Sequence, residues 1–486
     1  MHNKITQELL IFQIQCEVTI AEESKFAMEK KSKCDTKQDV SLEEKENGIL
    51  EVQEIRMSND YIDIDFLLEN VVGGGGWAQW IILICQVAIM IASGLPTLIH
   101  IFAAFEPSHR CYVSYCDQND SANAIHTHFT QFALPNEYAS SEIFKEDETF
   151  DPCQMYERTE ESTDTCTRTS FNHSSILKCN KWVYDTKEFT ETLTSKSNLI
   201  CDVEWKRRLL GTLLMLGLLI GSIIGGRVGD RFGRKITILW SHIILAPIVM
   251  FAGFSPNYPI YALLRFISAT CQPIMWISGH VLTLELFGKE YRKSIAIVKD
   301  FFAPMSELVL CVIIYTTRHW TYIHIWAGVG ILIPLPLYFF VPESPRWLAI
   351  NGRVNEAKEI LLNIGKLNGK TISENQKEII QNTLASIQND ANSTKTREKL
   401  SPFDMLSKIH LRKTLILLFN WITIVVGVYT LSLNATKLSG DLFFNYALIV
   451  VAGSFPGTFA LLLTLKLFGR RLNLFYTQFI LGNELL

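Results

Sequence analysis

Charge is scarce in this chain. Asp, Glu, Lys and Arg make up 19% of its 486 residues, against 48% hydrophobic. That balance excludes an ordinary soluble enzyme, yet it is too polar for a protein confined to lipid. No G-x-x-x-x-G-K-[ST] loop is present, which argues against a pump driven by nucleotide hydrolysis. No catalytic triad or metal-ligand spacing stands out, so no enzyme activity, cofactor or metal is expected, and no nucleic-acid partner. A cleavable leader is missing too: the run Leu9–Ile20 is short, broken by Gln and Glu, and lacks a cleavage pattern. Residues 1–60 are polar and mixed in charge, and read as a disordered tail.

Long apolar runs are what the chain does have. A hydrocarbon core of about 30 Å needs about 20 apolar residues per helix, and eight segments qualify. An amphipathic entry helix over 61–69 and the run Gly73–Gly76 lead into the first, at about 77–105. Two more, around 209–224 and 236–254, flank a short basic loop. The rest fall at about 259–287, 294–315, 322–341, 414–433 and 445–467, and a ninth begins near Leu472.

Charge and cysteine are sorted along this pattern. The 106–204 stretch holds 8 Lys/Arg against 18 Asp/Glu, and 343–413 holds 12 against 8. The bias of Lys and Arg toward the cytoplasm therefore puts the N-terminus and the second stretch inside and the first outside. Six of the 11 cysteines lie in the outer stretch: Cys111, Cys116, Cys153, Cys166, Cys179 and Cys201. None forms a C-x-x-C pair, so disulfides are expected rather than a metal site, with the connectivity open. Asn119 and Asn172 begin glycosylation sequons in the same stretch. The inner stretch carries helical periodicity over 354–364 and 374–387, as amphipathic helices lying against a bundle would.

The short basic loop reads Gly226-Arg227-Val228-Gly229-Asp230-Arg231-Phe232-Gly233-Arg234-Lys235. It resembles the signature loop between helices 2 and 3 of the major facilitator superfamily. Three more features resemble that superfamily's organic ion transporters, the cation, carnitine and anion carriers. They are the long cysteine-rich outer loop closing on Cys179-Asn180-Lys181-Trp182 through Cys201-Asp202, the stretch Val341-Pro342-Glu343-Ser344-Pro345-Arg346-Trp347-Leu348, and Leu431-Ser432-Leu433-Asn434. The resemblance implies an all-α membrane protein, a bundle of which eight to nine of twelve helices are present, with a large disulfide-rich extracellular loop. The organisation expected is a tail (1–60), entry helix and first span (61–105), outer loop (106–204), five spans (205–342), helical inner loop (343–412), and two spans with part of a third (413–486).

The resemblance also assigns roles. Gly226, Asp230, Arg231, Gly233, Arg234 and Lys235 would join Glu285, Arg292, Glu343 and Arg346 in a gating network at the inner face. Arg265 matches the superfamily's arginine in helix 4, and Gly469, Arg470 and Arg471 are what is left of a second signature loop, with Lys466 in an acidic residue's place. In the cavity, Trp276 stands where cation carriers have Trp and His280 where they have Tyr. An aromatic wall suits organic cations. Helix 8 has Thr458 where anion carriers often have Lys, and Ser454 where cation carriers often have Glu.

From the residues themselves, Glu307 lies about 20 Å into its segment, near the midplane, counting ~1.5 Å per residue from Ser294. An ionisable group there is a functional candidate by default. Asp300 stands seven residues earlier, on the same face of a continuous helix. That face should meet the cavity or a basic partner such as Arg265, while Lys299 snorkels toward the cytoplasm. The reading is a plasma-membrane carrier of small organic cations or zwitterions that works by alternating access, with sodium or protons as candidate coupling ions. The competing readings are a non-transporting relative of the family, or an organic anion carrier.

Overall fold

In the computed structural model the described residues are 63–395, except 115, 118–124, 126, 136–149 and 160–165, together with 411–412, 414–416, 418–419, 422, 440–452, 455–459 and 464. The apolar segment expected at 414–433 and the ninth one lie largely or wholly outside them, as do Asn119, Gly469, Arg470 and Arg471.

Helix α1 (Ile64–Phe66) winds on as a π-helical stretch, Leu67–Gly73. After the glycines, α2 (Trp77–Gly94) is interrupted at Pro96 and resumes as α3 (Ile99–Ala103). The loop that follows carries the short helices α4 (Thr130–Ala133) and α5 (Leu193–Ser197). Then come α6 (Glu204–Phe232), α7 (Arg234–Gly253) and α8 (Tyr258–Leu286). The next two are α9 (Arg292–Phe302) and α10 (Met305–Thr317). Beyond α11 (Trp320–Leu332), the chain passes Pro334 into a 3-10 turn. Last are α12 (Pro345–Ile350), α13 (Val354–Leu367), α14 (Glu374–Lys395) and α15, over Leu442–Phe459.

Among the described residues, six stretches are long and apolar enough to cross a membrane: Trp77–Ala103, Cys201–Phe232, Arg234–Gly253, Tyr258–Leu286, Trp320–Phe339 and Leu442–Phe459. The segment expected as one helix over 294–315 is two. Pro304 has no N–H to donate and its ring crowds the preceding turn, so the helix stops at Phe302 and restarts at Met305. Asp300 and Glu307 consequently belong to different helices.

The tightest packing in the bundle joins α6 to α8, and glycine makes it possible. Gly217, Gly221, Gly225 and Gly229 recur every fourth residue of α6 and are buried. A Cβ on Gly221 would stand 2.2 Å from the Thr270 carbonyl, and one on Gly217 2.7 Å from the Ala269 Cβ. Such small-residue faces let helix backbones approach in lipid, where burying apolar surface supplies no drive. The outward face of α6 and α7 is greasy instead, with Leu219, Ile223, Trp240 and Phe251 all exposed.

The cysteine-rich loop folds around its own small core of Val113, Phe129, Leu134, Phe150 and Phe171. All six cysteines are paired, as Cys111–Cys179, Cys116–Cys166 and Cys153–Cys201. Its strands are β1 (His109–Cys111), β2 (Gln154–Arg158), β3 (Phe171–Lys178) and β4 (Trp182–Tyr184). They form two antiparallel ladders, β1 with β4 and β2 with β3, which are too short and irregular to show as alternation in sequence. Arg110 is fully buried, pairs with Asp117 at 2.7 Å, and has its guanidinium 5.2 Å from the Phe129 ring. Asn172 is exposed on β3.

Candidate functional site

Two sets of polar groups sit at or inside the bundle: a clasp at the face opposite the cysteine-rich loop, and an interior line along α2, α8 and α10.

The clasp is built where α6 turns into α7. Gly233 makes that turn with φ +99°, a conformation suited to glycine. The first amides of α7 then have no intrahelical partners, and the Glu343 carboxylate takes them. Its oxygens accept from the backbone N–H of Arg234 (3.0 Å) and of Lys235 (3.1 Å). A negative charge is favourable at a helix N-terminus. Trp347 fixes the other strand of the turn by donating from Nε1 to the Asp230 carbonyl at 2.7 Å. The Arg234 side chain bridges Asp230 (2.9 Å) and Glu285 (3.3 Å). The signature loop and the Pro-Glu-Ser-Pro-Arg-Trp stretch are thus one structure.

Arg292 and Arg346 extend the network beyond the residues that the resemblance assigns to it. Their partners come from the entry segment: Arg292 bonds both oxygens of Asp65, at 2.5 and 3.2 Å, and Arg346 reaches Asp63 at 3.2 Å. Arg292 also donates to the Leu284 carbonyl at 2.8 Å, at the end of α8. The entry segment is held again further on. Asn368, just past α13, donates from Nδ2 to the carbonyls of Val72 and Gly73 and to Gln79 Oε1, and its own Oδ1 accepts from the Ala78 amide. Asp63, Asp65 and Asn368 carried no sequence signal of this role. Arg231 stacks over Phe232 at 5.5 Å, and a Cβ on Gly226 would meet nothing.

In the interior, α2 and α8 run antiparallel and trade polar contacts. Trp276 Nε1 donates to Ser93 Oγ at 3.0 Å. Thr97 donates from Oγ1 to Gln272 Oε1 at 3.2 Å. The break at Pro96 exposes the Thr97 carbonyl, and buried Arg265 donates to it at 2.6 Å, with His100 Nδ1 at 3.3 Å from the same guanidinium. Arg265 therefore serves the α2–α3 break. Lys299, expected to snorkel, is 3% exposed. It points into α8, 3.2 Å from His280 Nδ1 and 3.3 Å from Thr283 Oγ1. Trp276, His280, Asp300 and Glu307 are all half-buried.

Glu307, in the first turn of α10, faces the Tyr446 hydroxyl of α15. No basic side chain forms an ion pair with it among the described residues. Above it, toward the cysteine-rich loop, aromatic rings close the seam between α15 and the rest. Phe102 meets Tyr446 edge-on at 4.8 Å, and Tyr315 and Phe189 pack on Phe443 at 5.6 and 5.8 Å. The Arg318 guanidinium lies 5.6 Å from the Phe443 ring.

Known proteins resemble this chain in sequence. The sequence profile of the sugar (and other) transporter family matches residues 173–481. The chain is 27% identical over 420 residues to solute carrier family 22 member 1 of Bos taurus, a match covering 84% of this chain and 70% of that protein. It is likewise 27% identical to the organic cation transporter protein of Drosophila melanogaster, across 83% of this chain and 71% of that one. Among solved structures, the proton:xylose symporter XylE bound to 6-bromo-6-deoxy-D-glucose is similar, with TM-score 0.48 and 13% identity over 80% of this chain and 70% of that one. The chain belongs to the sugar (and other) transporter family, a family of membrane transport proteins.

Proposed function

We propose that the protein carries small organic cations or zwitterions across the plasma membrane by alternating access, with the cysteine-rich loop outside and the clasp inside. The observation that carries this reading is Glu307. A carboxylate inside the bundle with a phenol for a neighbour, and no basic partner among the described residues, supplies the negative charge that a permeating cation needs. Trp276 adds an aromatic surface at the same depth, since its partner Ser93 adjoins Gly94 and a Cβ on Gly94 would stand 2.5 Å from Ser306, next to Glu307. The clasp supports the gating half of the reading, because it ties the entry segment, α6–α8 and the helices after residue 343 into one inner-face assembly that the other half of the molecule would engage and release. Radiotracer uptake in expressing cells tests it. Saturable uptake of tetraethylammonium above mock cells, abolished by Glu307→Gln at equal surface abundance, is expected. Uptake equal to mock cells, or undiminished in Glu307→Gln, overturns it.

A further inference from the structure

Two side-chain amides on the α2–α8 seam are buried with their donors unfilled. Gln86 is 1% exposed and Gln272 0%, and neither Nε2 has a hydrogen-bond partner among the described residues. Unpaired donors in a bilayer interior are costly, because no solvent is at hand to meet them. Polar residues between membrane helices ordinarily earn their place by bonding across the seam. Gln272 does so only through its oxygen, which Thr97 holds, and this turns its NH2 end away from Thr97. Gln86 lies against Gly279, its Oε1 3.6 Å from where a Cβ would be. Gln272 is one helical turn from Trp276 and on its face. The half-buried indole and the two amides therefore share one side of the seam, with Gln272 one turn from Trp276 toward the cysteine-rich loop and Gln86, beside Gly279, about one turn from it toward the clasp.

We propose that Gln272 and Gln86 recognise a hydrogen-bond acceptor on the transported molecule, a carboxylate or carbonyl oxygen. Their N–H groups then discriminate between ammonium compounds that carry such an acceptor and those that are purely alkyl. This rests on the organic-cation reading and adds polarity to it: the cationic end lies toward Glu307 and Trp276, and the acceptor end toward one amide or the other. A site built around donors rejects a ligand that lacks the matching acceptor far more strongly than an apolar pocket rejects a misfit methylene.

The test is uptake of two probes by the full chain in expressing cells, tetraethylammonium without an acceptor and L-carnitine with one. The variants are Gln272→Leu, Gln86→Leu and Gln272→Glu, each normalised to surface abundance. The expected result for the leucine variants is a fall in kcat/KM for carnitine of about tenfold or more, through KM, the loss of one hydrogen bond to a charged group. Tetraethylammonium uptake should stay near the wild-type level, which also reports that the variants fold. Gln272→Glu, which puts an acceptor where the donors were, should reject carnitine at least as strongly. An unchanged carnitine-to-tetraethylammonium ratio in all three variants, or an equal loss of both probes, assigns the amides to helix packing and overturns the proposal. So does a wild-type protein that carries tetraethylammonium but not carnitine. A wild-type protein that carries neither fails earlier, at the organic-cation reading, and takes this inference with it.

Discussion

A methyl group placed on Gly233 would stand 2.5 Å from Oε2 of Glu343, more than a hundred residues away in sequence. The glycine is needed twice: for the left-handed turn between α6 and α7, and for the room in which the carboxylate reaches the next two amides. Gly233→Ala should therefore cost more than a backbone penalty alone, which is of the order of 1–3 kcal/mol. Glu343→Gln keeps the size and loses the charge at a helix start, worth about 1 kcal/mol. In detergent, the thermal midpoint of Gly233→Ala should fall further than that of Glu343→Gln. The reverse order would mean that the carboxylate matters through some other contact.

The spacing of four along α6 makes a second prediction with its control built in. Gly221→Leu should abolish assembly, since even its Cβ would be 2.2 Å from a backbone carbonyl that cannot yield. Gly226→Leu, on the same helix with nothing within 4 Å, should leave the yield of monodisperse protein near wild type. Equal behaviour of the two would refute the packing of α6 on α8.

Asp65 and Arg292 give a charge-reversal test of the clasp. Their side chains are 10% and 19% exposed, so removing one partner leaves a charge poorly solvated, at a cost of several kcal/mol. Asp65→Arg and Arg292→Asp should each lower uptake tenfold or more, on the order of that cost, and the double variant should recover a large part of it. No recovery would place the pair's role in some other contact of either residue.

How far the sequence revealed these features depends on whether the physics behind each leaves a local mark. Membrane helices do, because lipid demands long apolar runs, and so does a turn of glycines and basic residues. The depth expected of Glu307 comes from counting along its segment. The break before it is also visible, as Pro304 in the middle of an apolar run, where the missing N–H outweighs continuous hydrophobicity. The glycine spacing in α6 was equally open to view. Asp63, Asp65 and Asn368 were not. Each is a polar residue in a polar stretch, and only the fold brings it to its partner. The orphaned donors of Gln86 and Gln272 are likewise a property of packing, which no pattern of residue types records.

The aromatic seam can be read through Cys311. It is buried beneath the rings, with its Sγ 3.6 Å from the Phe443 carbonyl. With the other free cysteines replaced, a membrane-impermeant thiol reagent added from outside should label Cys311 slowly. Phe443→Ala should raise the rate about tenfold or more, the consequence of opening a closed packing layer by about 1.4 kcal/mol or more. An unchanged rate would show that these rings do not close the outer path.

The most direct measurement is counterflow in liposomes holding the purified protein. Vesicles preloaded with unlabelled tetraethylammonium should take up the labelled compound faster than empty ones, to a transient overshoot, because a carrier that alternates returns more readily when loaded. Glu307→Gln vesicles should show none. Flux that is absent, or that rises linearly with concentration and ignores the internal load, would contradict the account.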